Sequence, residues 1–239
     1  MKAADYTRIM IKISGEMLGG GSGQGFDGKA LEMVAQELAD LQKAGKEVSV
    51  VVGGGNIFRG VKAATDWEID RGSADYMGML ATVINGLGLQ AVLENKHGIN
   101  TRVMSAINMQ ELAEPYIRRK AIKHLHKKRI VIFAGGTGNP FFTTDTAASL
   151  RAREVGAEII MKATKVDGVY DKDPATNTDA VKFESLSYID VISKKLDVMD
   201  ATAVTLCMEA GLPIVVFKLD GHGCVMNALN DVKTATIVQ

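Results

Sequence analysis

Residues 135–145 read GGTGNPFFTTD and directly follow IVIFA at residues 130–134. A short apolar run of this kind predicts a buried strand, and the threonines after the glycines are favourable first residues for a helix. A strand that passes through glycines into a helix leaves backbone N–H groups without partners at one point, and these groups attract an anion. The stretch therefore predicts the phosphate-binding end of a strand.

The same pattern occurs twice earlier, in IMIKISGE at residues 9–16 and in VSVVVGGGNIFRG at residues 48–60. Three junctions of this kind predict a phosphate-rich ligand that lies across the carboxyl ends of neighbouring strands. The apolar, β-branched runs predict strands at residues 8–13, 47–52, 101–104, 130–134, 158–162, 213–218 and 236–238.

Amphipathic segments between these runs predict helices. Leu31, Val34, Leu38 and Leu41 share one face, with Asp27 as N-cap and Gly45 just past the end. The next helix is expected to turn one apolar face to the core, and two more are closed by Gly156 and Gly211. The face of that second helix consists of Met77, Leu80, Val83, Ile84 and Leu87. Alternating strands and helices predict an α/β fold, a single-domain three-layer sandwich over residues 1–239, with a mostly parallel central sheet and helices on both faces.

Composition narrows the function. Lys plus Arg and Asp plus Glu both number 28 in 239 residues, so the net charge is zero, which argues against a nucleic-acid partner. No uninterrupted apolar segment approaches the ~20 residues of a membrane span, and no leader is recognisable, so a cytoplasmic protein without a membrane partner is expected. The two cysteines and four histidines show no metal-ligand spacing, and no metal site is expected in the chain.

Two basic residues stand at the junctions. Lys12 lies within an apolar strand, so in a sheet covered on both faces its ammonium group would be buried and would need an anion. The alternative is an edge strand with Lys12 in water. Arg59 follows three glycines and Asn56, where a guanidinium group can hold phosphoryl oxygens through paired hydrogen bonds. Its alternative is a solvated arginine.

The segment GQGFDGK at residues 23–29 matches two nucleotide-binding patterns, G-x-G-x-x-G and the start of a P-loop. Neither match follows a strand directly, and Ala30 stands where a P-loop carries a Ser or Thr for Mg²⁺. We interpret residues 19–25 as a flexible surface loop, with a regulatory contact left open.

Six segments together, in matching order along almost the whole chain, resemble the bacterial uridylate (UMP) kinases of the amino-acid-kinase fold group. They are KISGE at 12–16, GGGNIFRG at 53–60, DYMGMLATVING at 75–86, GTGNPFFTTD at 136–145, KATKVDGVYDKDP at 162–174 and MDATA at 199–203. GTGNPFFTTD with GGGN-x-FRG is close to specific for this family within its fold. Residues 19–25 and 62–72 depart from the family pattern.

The resemblance implies transfer of the γ-phosphoryl group of ATP to UMP, with Mg²⁺ carried by ATP. It also implies a homohexamer that UTP inhibits and for which GTP is an effector. For this reaction we assign the charge on the moving phosphoryl group to Lys12 and Arg59, and the orientation of Lys12 or of magnesium-bound water to Asp145 and Asp200. The resemblance assigns the ATP side to Lys12, Ile13, Ser14, Gly15, Gly55, Arg59, Thr164, Tyr170 and Asp173. It assigns the UMP side to Gly54, Asp75, Thr137, Gly138, Asn139, Pro140, Phe141, Phe142, Thr143 and Thr144.

Other functions compete with this hypothesis. A kinase for an amino-acid carboxylate or for carbamate would share the fold, but it should lack GTGNPFFTTD. A catalytically silent nucleotide sensor would be favoured by the loss of Lys12 or Arg59, and both are present. A dinucleotide oxidoreductase rests only on the match at residues 23–28.

Overall fold

Strands and helices alternate along residues 5–59 and 68–239, which this computed structural model describes. The strands are β1 (Arg8–Ile13), β2 (Glu47–Val52), β3 (Thr101–Ser105), β4 (Glu114–Pro115), β5 (Ile130–Ala134), β6 (Ile159–Thr164), β7 (Val169–Tyr170), β8 (Lys182–Phe183), β9 (Ser185–Leu186), β10 (Ile214–Lys218) and β11 (Ala235–Val238). The helices are α1 (Gly15–Leu18), α2 (Gly28–Lys43), α3 (Arg71–His97), α4 (Arg118–His126), α5 (Thr144–Val155), α6 (Tyr188–Ser193), α7 (Ala201–Ala210) and α8 (Cys224–Asn230). Gly60 and most of the 62–72 segment lie outside the described residues.

Nine strands form one sheet in the order β4-β3-β5-β2-β1-β6-β10-β11-β9. All neighbouring pairs are parallel except β10 with β11. The seven predicted strands are confirmed as β1, β2, β3, β5, β6, β10 and β11, with small shifts at their ends. The three glycine junctions follow β5, β2 and β1, which are neighbours in the sheet. The junctions therefore meet at the carboxyl ends of these strands, as predicted.

Helices cover both faces of the sheet, which confirms the predicted α/β architecture. On one face, α2, α3 and α8 pack on the side chains of Ile9, Ile11 and Ile13 and on their equivalents in the other strands. On the other face, α4, α5, α6 and α7 pack on Met10, on Val51 and on the equivalent side chains of the other strands. Because both faces are covered, the central strands read as continuous apolar runs and not as alternating patterns.

Helix caps follow the sequence signals. Asp27 accepts hydrogen bonds from Lys29 N and Ala30 N at the start of α2, as predicted. Thr143 caps α5 through Asp145 N and Thr146 N, and Gly156 and Gly211 end α5 and α7 in the left-handed conformation. The side chains of Asp27 and Thr143 thus fix where α2 and α5 begin.

Helix α3 corrects one sequence prediction. Its buried side is built mainly from small and polar residues, including Ala74, Ala81, Thr82, Asn85 and Gly86. Of the face predicted to be buried, Met77, Leu80 and Ile84 are exposed and only Val83 is fully buried. Close approach is one reason at Gly86, where an added Cβ would lie only 3.3 Å from Val103 Cγ1, so this position of the buried side leaves little room for a side chain. Apolar periodicity therefore identified the wrong face.

Helix α3 is also long and apolar enough to cross a membrane by length and hydropathy alone. Residues along it pack against β3 and β5, and 44% of its most apolar window is buried within the fold. A core helix passes the same test, and the packing identifies α3 as one.

Candidate active site

The carboxyl ends of β1 and β2 approach so closely that only glycine fits between them. A Cβ added to Gly15 would lie 2.5 Å from Asn56 Oδ1 and 2.7 Å from Gly53 O. A Cβ on Gly54 would lie 2.7 Å from the carbonyl oxygen of Gly78 on α3. Real Cβ atoms do not come this near to other heavy atoms, so these glycines bring three backbone segments into direct contact.

Lys12 lies on the α5 face of this central strand and is 8% exposed. Its Nζ is 2.6 Å from Oδ1 of Asp145, at the first turn of α5. The edge-strand alternative for Lys12 is therefore wrong, because β1 pairs with β2 on one side and β6 on the other. The predicted need for an anion is met by Asp145.

Lys162 completes this cluster, and sequence reasoning missed it. It is paired in register with Lys12 on the neighbouring strand β6, and its Nζ is 2.9 Å from Oδ2 of Asp145. It also donates to the carbonyl oxygen of Val198. One aspartate thus separates two lysines that stand side by side, and the cluster carries a net charge of +1. A charge within an apolar strand, the signal used for Lys12, was available for Lys162 as well.

The charge of Asp145 is set by two opposing effects. Burial raises its pKa, but the nearby charges of Lys12 and Lys162 outweigh burial and hold the pKa below the ordinary value of 3.8. Asp145 is therefore ionised at neutral pH and can orient both ammonium groups.

Asp200 lies beside this cluster but does not contact Lys12. Its carboxylate accepts hydrogen bonds from the hydroxyl groups of Thr143 and Thr146, and it caps α7 through Ala203 N at 2.9 Å. It thus joins the starts of α5 and α7. The structure gives Asp200 a role in holding Thr143, and the expected contact with Lys12 belongs to Asp145 alone.

Asp75 on α3 holds the loop after β5. Its Oδ2 accepts a hydrogen bond of 2.8 Å from Phe141 N, and its Oδ1 accepts one of 2.8 Å from Arg71 Nε. Phe141 adopts φ 71°, a left-handed conformation that is costly for a bulky residue. The hydrogen bond to Asp75 helps to hold this turn in place.

A cavity opens between α3, the β2 glycine turn and this loop. Its lining unites residues from three of the predicted segments: Gly54, Gly55, Asp75, Thr137, Phe142, Thr143 and Thr144. Six further lining residues were not assigned to the site individually, although all except Ala74 lie within those segments: Phe58, Ala74, Gly78, Met79, Thr82 and Gly136. Phe141 is 72% exposed, and neither it nor Gly138, Asn139 or Pro140 lines the cavity.

Arg59 reaches across the edge to α1. Its Nη2 is 2.6 Å from Oε1 of Glu16, whose other oxygen is 3.0 Å from Lys165 Nζ. The hydrogen bond from Lys165 is the largest cause of the lowered pKa of Glu16, and Arg59 adds to it. Glu16, which was not predicted as a site residue, thus holds both basic groups at the first turn of α1.

The remaining residues assigned to the ATP side are dispersed. Ile13 is fully buried in the core and its carbonyl oxygen accepts from Gly53 N, so its side chain does not reach the cleft. Ser14 stands at the N-cap of α1 without a cap hydrogen bond. Thr164 ends β6, and Tyr170 donates to Asp167 in the β7–β8 hairpin, a hydrogen bond that raises the pKa of Tyr170 to about 12. Asp173 caps the following turn through Ala175 N.

The segment at residues 19–29 does not have the geometry of a phosphate loop that follows a strand. Its glycine turn follows α1 and precedes α2, and the first N–H groups of α2 are occupied by Asp27. The loop is also less free than expected, because Gly25 N donates to Asn56 O and a Cβ on Gly20 would lie 2.8 Å from Asp27 Cβ.

One histidine differs from expectation. His222 Nδ1 lies 3.4 Å from both Glu37 Oε1 and Asp40 Oδ2, and these ligand atoms lie within 4.8 Å of one another. The fold brings the loop before α8 onto α2, a long-range contact that spacing along the chain cannot reveal. Glu37 already accepts from the backbone N–H groups of Gly223 and Val225, so it serves as a structural cap there.

Comparisons with known proteins agree with this arrangement. The model of the amino acid kinase family matches residues 7–218. The UMP kinase of Bacillus anthracis has a similar structure, with a TM-score of 0.93 and 41% identity over 98% of this chain and 96% of that one. The UMP kinase of Ureaplasma parvum gives 0.91 and 38% over 98% and 99%, and the uridylate kinase of Archaeoglobus fulgidus gives 0.70 and 26% over 97% and 99%. The chain therefore belongs to the amino acid kinase family and, within it, to the UMP kinases.

Proposed function

We propose that this protein transfers the γ-phosphoryl group of ATP to the phosphate of UMP, which gives UDP and ADP. The observation that carries the proposal is the cavity in which Gly54, Asp75 and Thr137 meet, next to the Lys12–Asp145 pair. A nucleoside monophosphate would place its phosphate at Gly54 and its sugar hydroxyls toward Asp75. Each Asp75 oxygen already accepts one hydrogen bond and retains a second acceptor site for a hydroxyl.

Phosphoryl transfer asks the protein mainly to align two phosphates and to stabilise the charge on the moving group. We assign that charge to Lys12 and Arg59, and the alignment to the backbone N–H groups of the glycine turns. Asp145 orients Lys12 and keeps it apart from Lys162. No side chain acts as a base, because the attacking UMP oxygen is already anionic at neutral pH.

Mg²⁺ is proposed to arrive with ATP. Both carboxylates beside the transfer site already have partners. The Asp145 carboxylate pairs with two lysines, and the Asp200 carboxylate accepts hydrogen bonds from two threonine hydroxyl groups and from Ala203 N. Among the described residues these groups offer no cage for the ion, which suits a metal held mainly by phosphates and water. When bound, Mg²⁺ would neutralise charge between the phosphates.

The substrate test is a coupled assay of ADP release with ATP and a panel of acceptors. ADP release should require UMP and should strongly prefer it to CMP, since the loop of residues 137–144 matches the family's UMP segment. dUMP tests the contact between the sugar and Asp75. Equal rates with CMP, or faster ADP release with glutamate or carbamate, would contradict the assignment.

A second prediction concerns the apparent P-loop. Lys29→Ala should leave the KM for ATP unchanged, because Lys29 is exposed and its backbone N–H is bonded to Asp27. The KM should be measured together with the response to GTP, since an altered activation curve with intact basal activity is the one phenotype expected of this region. Loss of basal ATP affinity would identify residues 23–29 as the nucleotide site.

We also propose that the protein works in the cytoplasm as a homohexamer, with UTP as inhibitor and GTP as effector, as in the family it belongs to. Tyr76, Met77, Leu80 and Ile84 form an exposed apolar stripe on α3, and each is at least 39% exposed. Such a stripe on a helix that begins at the cavity is suited to pairing with a second copy.

This assembly proposal predicts that Ile84→Glu reduces the molar mass measured by light scattering after gel filtration, because a charge would enter the paired face. Ile189→Glu is the matched control, since Ile189 is 70% exposed on α6 and lies outside the stripe. Equal effects of both substitutions would count against the α3 face.

A further inference from the structure

Two buried amide side chains lie directly behind the β2 glycine turn. Asn85 on α3 is 0% exposed and Asn56 is 5% exposed. The amides face each other: Asn85 Nδ2 donates to Asn56 Oδ1 at 2.7 Å, and Asn56 Nδ2 donates to Asn85 Oδ1 at 3.1 Å. Buried amides cost free energy unless their groups are paired, so this reciprocal arrangement is a specific one.

Each amide uses its second N–H to hold backbone. Asn85 Nδ2 donates to Gly53 O at 2.6 Å, and Asn56 Nδ2 donates to Gly25 O at 2.6 Å. Gly25 N in turn donates to Asn56 O at 2.8 Å. All four amide N–H bonds and both amide oxygens are therefore engaged within the protein, and neither side chain lines the cavity.

The two asparagines lie in a tightly packed region, where a small shift of either side chain would displace neighbouring backbone. Asn56 Oδ1 occupies the space beside Gly15 that a Cβ would otherwise fill, at 2.5 Å. Gly53 N donates to Ile13 O, so the same residue that Asn85 holds by its carbonyl is joined to β1 by its N–H. A shift of Asn85 would move the turn at residues 53–55 relative to both β1 and α3.

We propose that Asn85 is a positioning residue for phosphoryl transfer, which fixes the Gly53–Gly54–Gly55 turn through Gly53 O and Asn56. Through Asn56 the same network ties the turn to the loop at residues 19–25, so the shape of that loop and the alignment of the phosphates are coupled. The inference rests on the proposed function, because the turn is assigned to the phosphates of UMP and ATP.

The test compares Asn85→Asp with Gln90→Glu. Asn85→Asp keeps the size and the acceptor oxygen but removes both donors, so Gly53 O and Asn56 Oδ1 lose their partner. Gln90 is the matched control: it lies on the same helix and donates to a backbone carbonyl, Thr101 O at 3.0 Å, away from the turn. Each variant is measured for kcat with ATP and UMP, for Tm, and for hydrogen exchange of peptides that cover residues 19–25 and 53–57.

Asn85→Asp should lower kcat by ~10-fold or more, the scale of leaving a buried group without its hydrogen bond. Exchange should accelerate at both 19–25 and 53–57, while Gln90→Glu keeps wild-type turnover and exchange there. Wild-type kcat in Asn85→Asp, or a lowered kcat with unchanged exchange at residues 19–25, overturns the proposal. If Asn85→Asp does not fold, Asn85→Ser is measured in the same way, since it adds no buried charge and is too short for both contacts.

The wild-type enzyme separates this proposal from the one on which it rests. Absence of ADP release with UMP in the wild type would refute the proposed function, while the exchange measurements would still decide whether Asn85 couples the two segments.

Discussion

Alanine in place of Lys12 should lower kcat for UMP phosphorylation by ~10²-fold or more, the scale of losing one preorganised electrostatic contact. Lys12 is almost fully buried at the edge where the glycine turns meet, and Asp145 holds its ammonium group in place. Lys162 cannot replace it, because it is held by Asp145 and by Val198 O. The measurement is steady-state ADP release with both substrates at saturation.

Arg59→Ala is expected to lower kcat on the same scale, and Lys29→Ala serves as the control for loss of a lysine at an exposed site. Arg59 is about half exposed and paired with Glu16, so its loss should leave the Tm nearly unchanged. Near-normal turnover in Lys12→Ala or in Arg59→Ala would remove that residue from the mechanism.

Asp145→Asn should have the largest effect on stability. The substitution leaves Lys12 and Lys162 side by side in the sheet without a counter-charge, and removing one partner of a buried ion pair costs about 3–5 kcal/mol. For a chain of this size that corresponds to a fall in Tm of roughly 10 °C. Turnover should fall as well, because Lys12 loses the group that orients it. Thermal and urea denaturation at neutral pH measure the first effect.

A double variant tests the cause. Asp145→Asn combined with Lys162→Met removes the repulsion between the two lysines and should recover part of the lost stability without restoring turnover.

The pH dependence of stability gives a second check of the ion-pair explanation. Folding lowers the pKa of Asp145 below its ordinary value of 3.8. Its contribution to the free energy of unfolding is therefore fully present above about pH 3.8 and is lost as the pH falls through the lower pKa of the folded state. The difference in stability between wild type and Asp145→Asn should therefore shrink below that pH, and a constant difference would contradict the ion-pair explanation.

The sequence was sufficient for the parts of the fold that local pattern controls. Central strands such as Arg8–Ile13 and Ile130–Ala134 are apolar and β-branched, and their ends coincide with glycines. The two-residue strands β4, β7, β8 and β9 were not predicted, because they contain too few residues to show a period. Helix α3 was placed correctly, but its buried face was not, since small and polar residues such as Ala81, Thr82 and Asn85 form much of that face and show no apolar period.

Residues of the candidate site could be predicted where their type is improbable at that place in the sequence unless a ligand or a partner is present. Lys12 and the glycines at 15, 53 and 54 are of this kind. Glu16, Lys162 and Asn85 were missed because their importance depends on neighbours that come from distant parts of the chain, such as Arg59, Asp145 and Gly53. A resemblance supplied Asp75, whose partner Phe141 lies 66 residues away.

The position of β1 at the centre of the sheet has a consequence for synthesis of the chain. Among the described strands β1 is synthesised first, yet one of its two partners is β6, with Ile9 paired to Ile159, 150 residues later. At about 5–20 residues per second, this interval lasts roughly 8–30 seconds. During this interval the apolar segment RIMIKI, which includes Lys12, lacks the strand β6 that pairs with it and the helix α5 that covers one of its faces. During that interval, pairing with β2 or binding to a chaperone would keep this segment from associating with other chains.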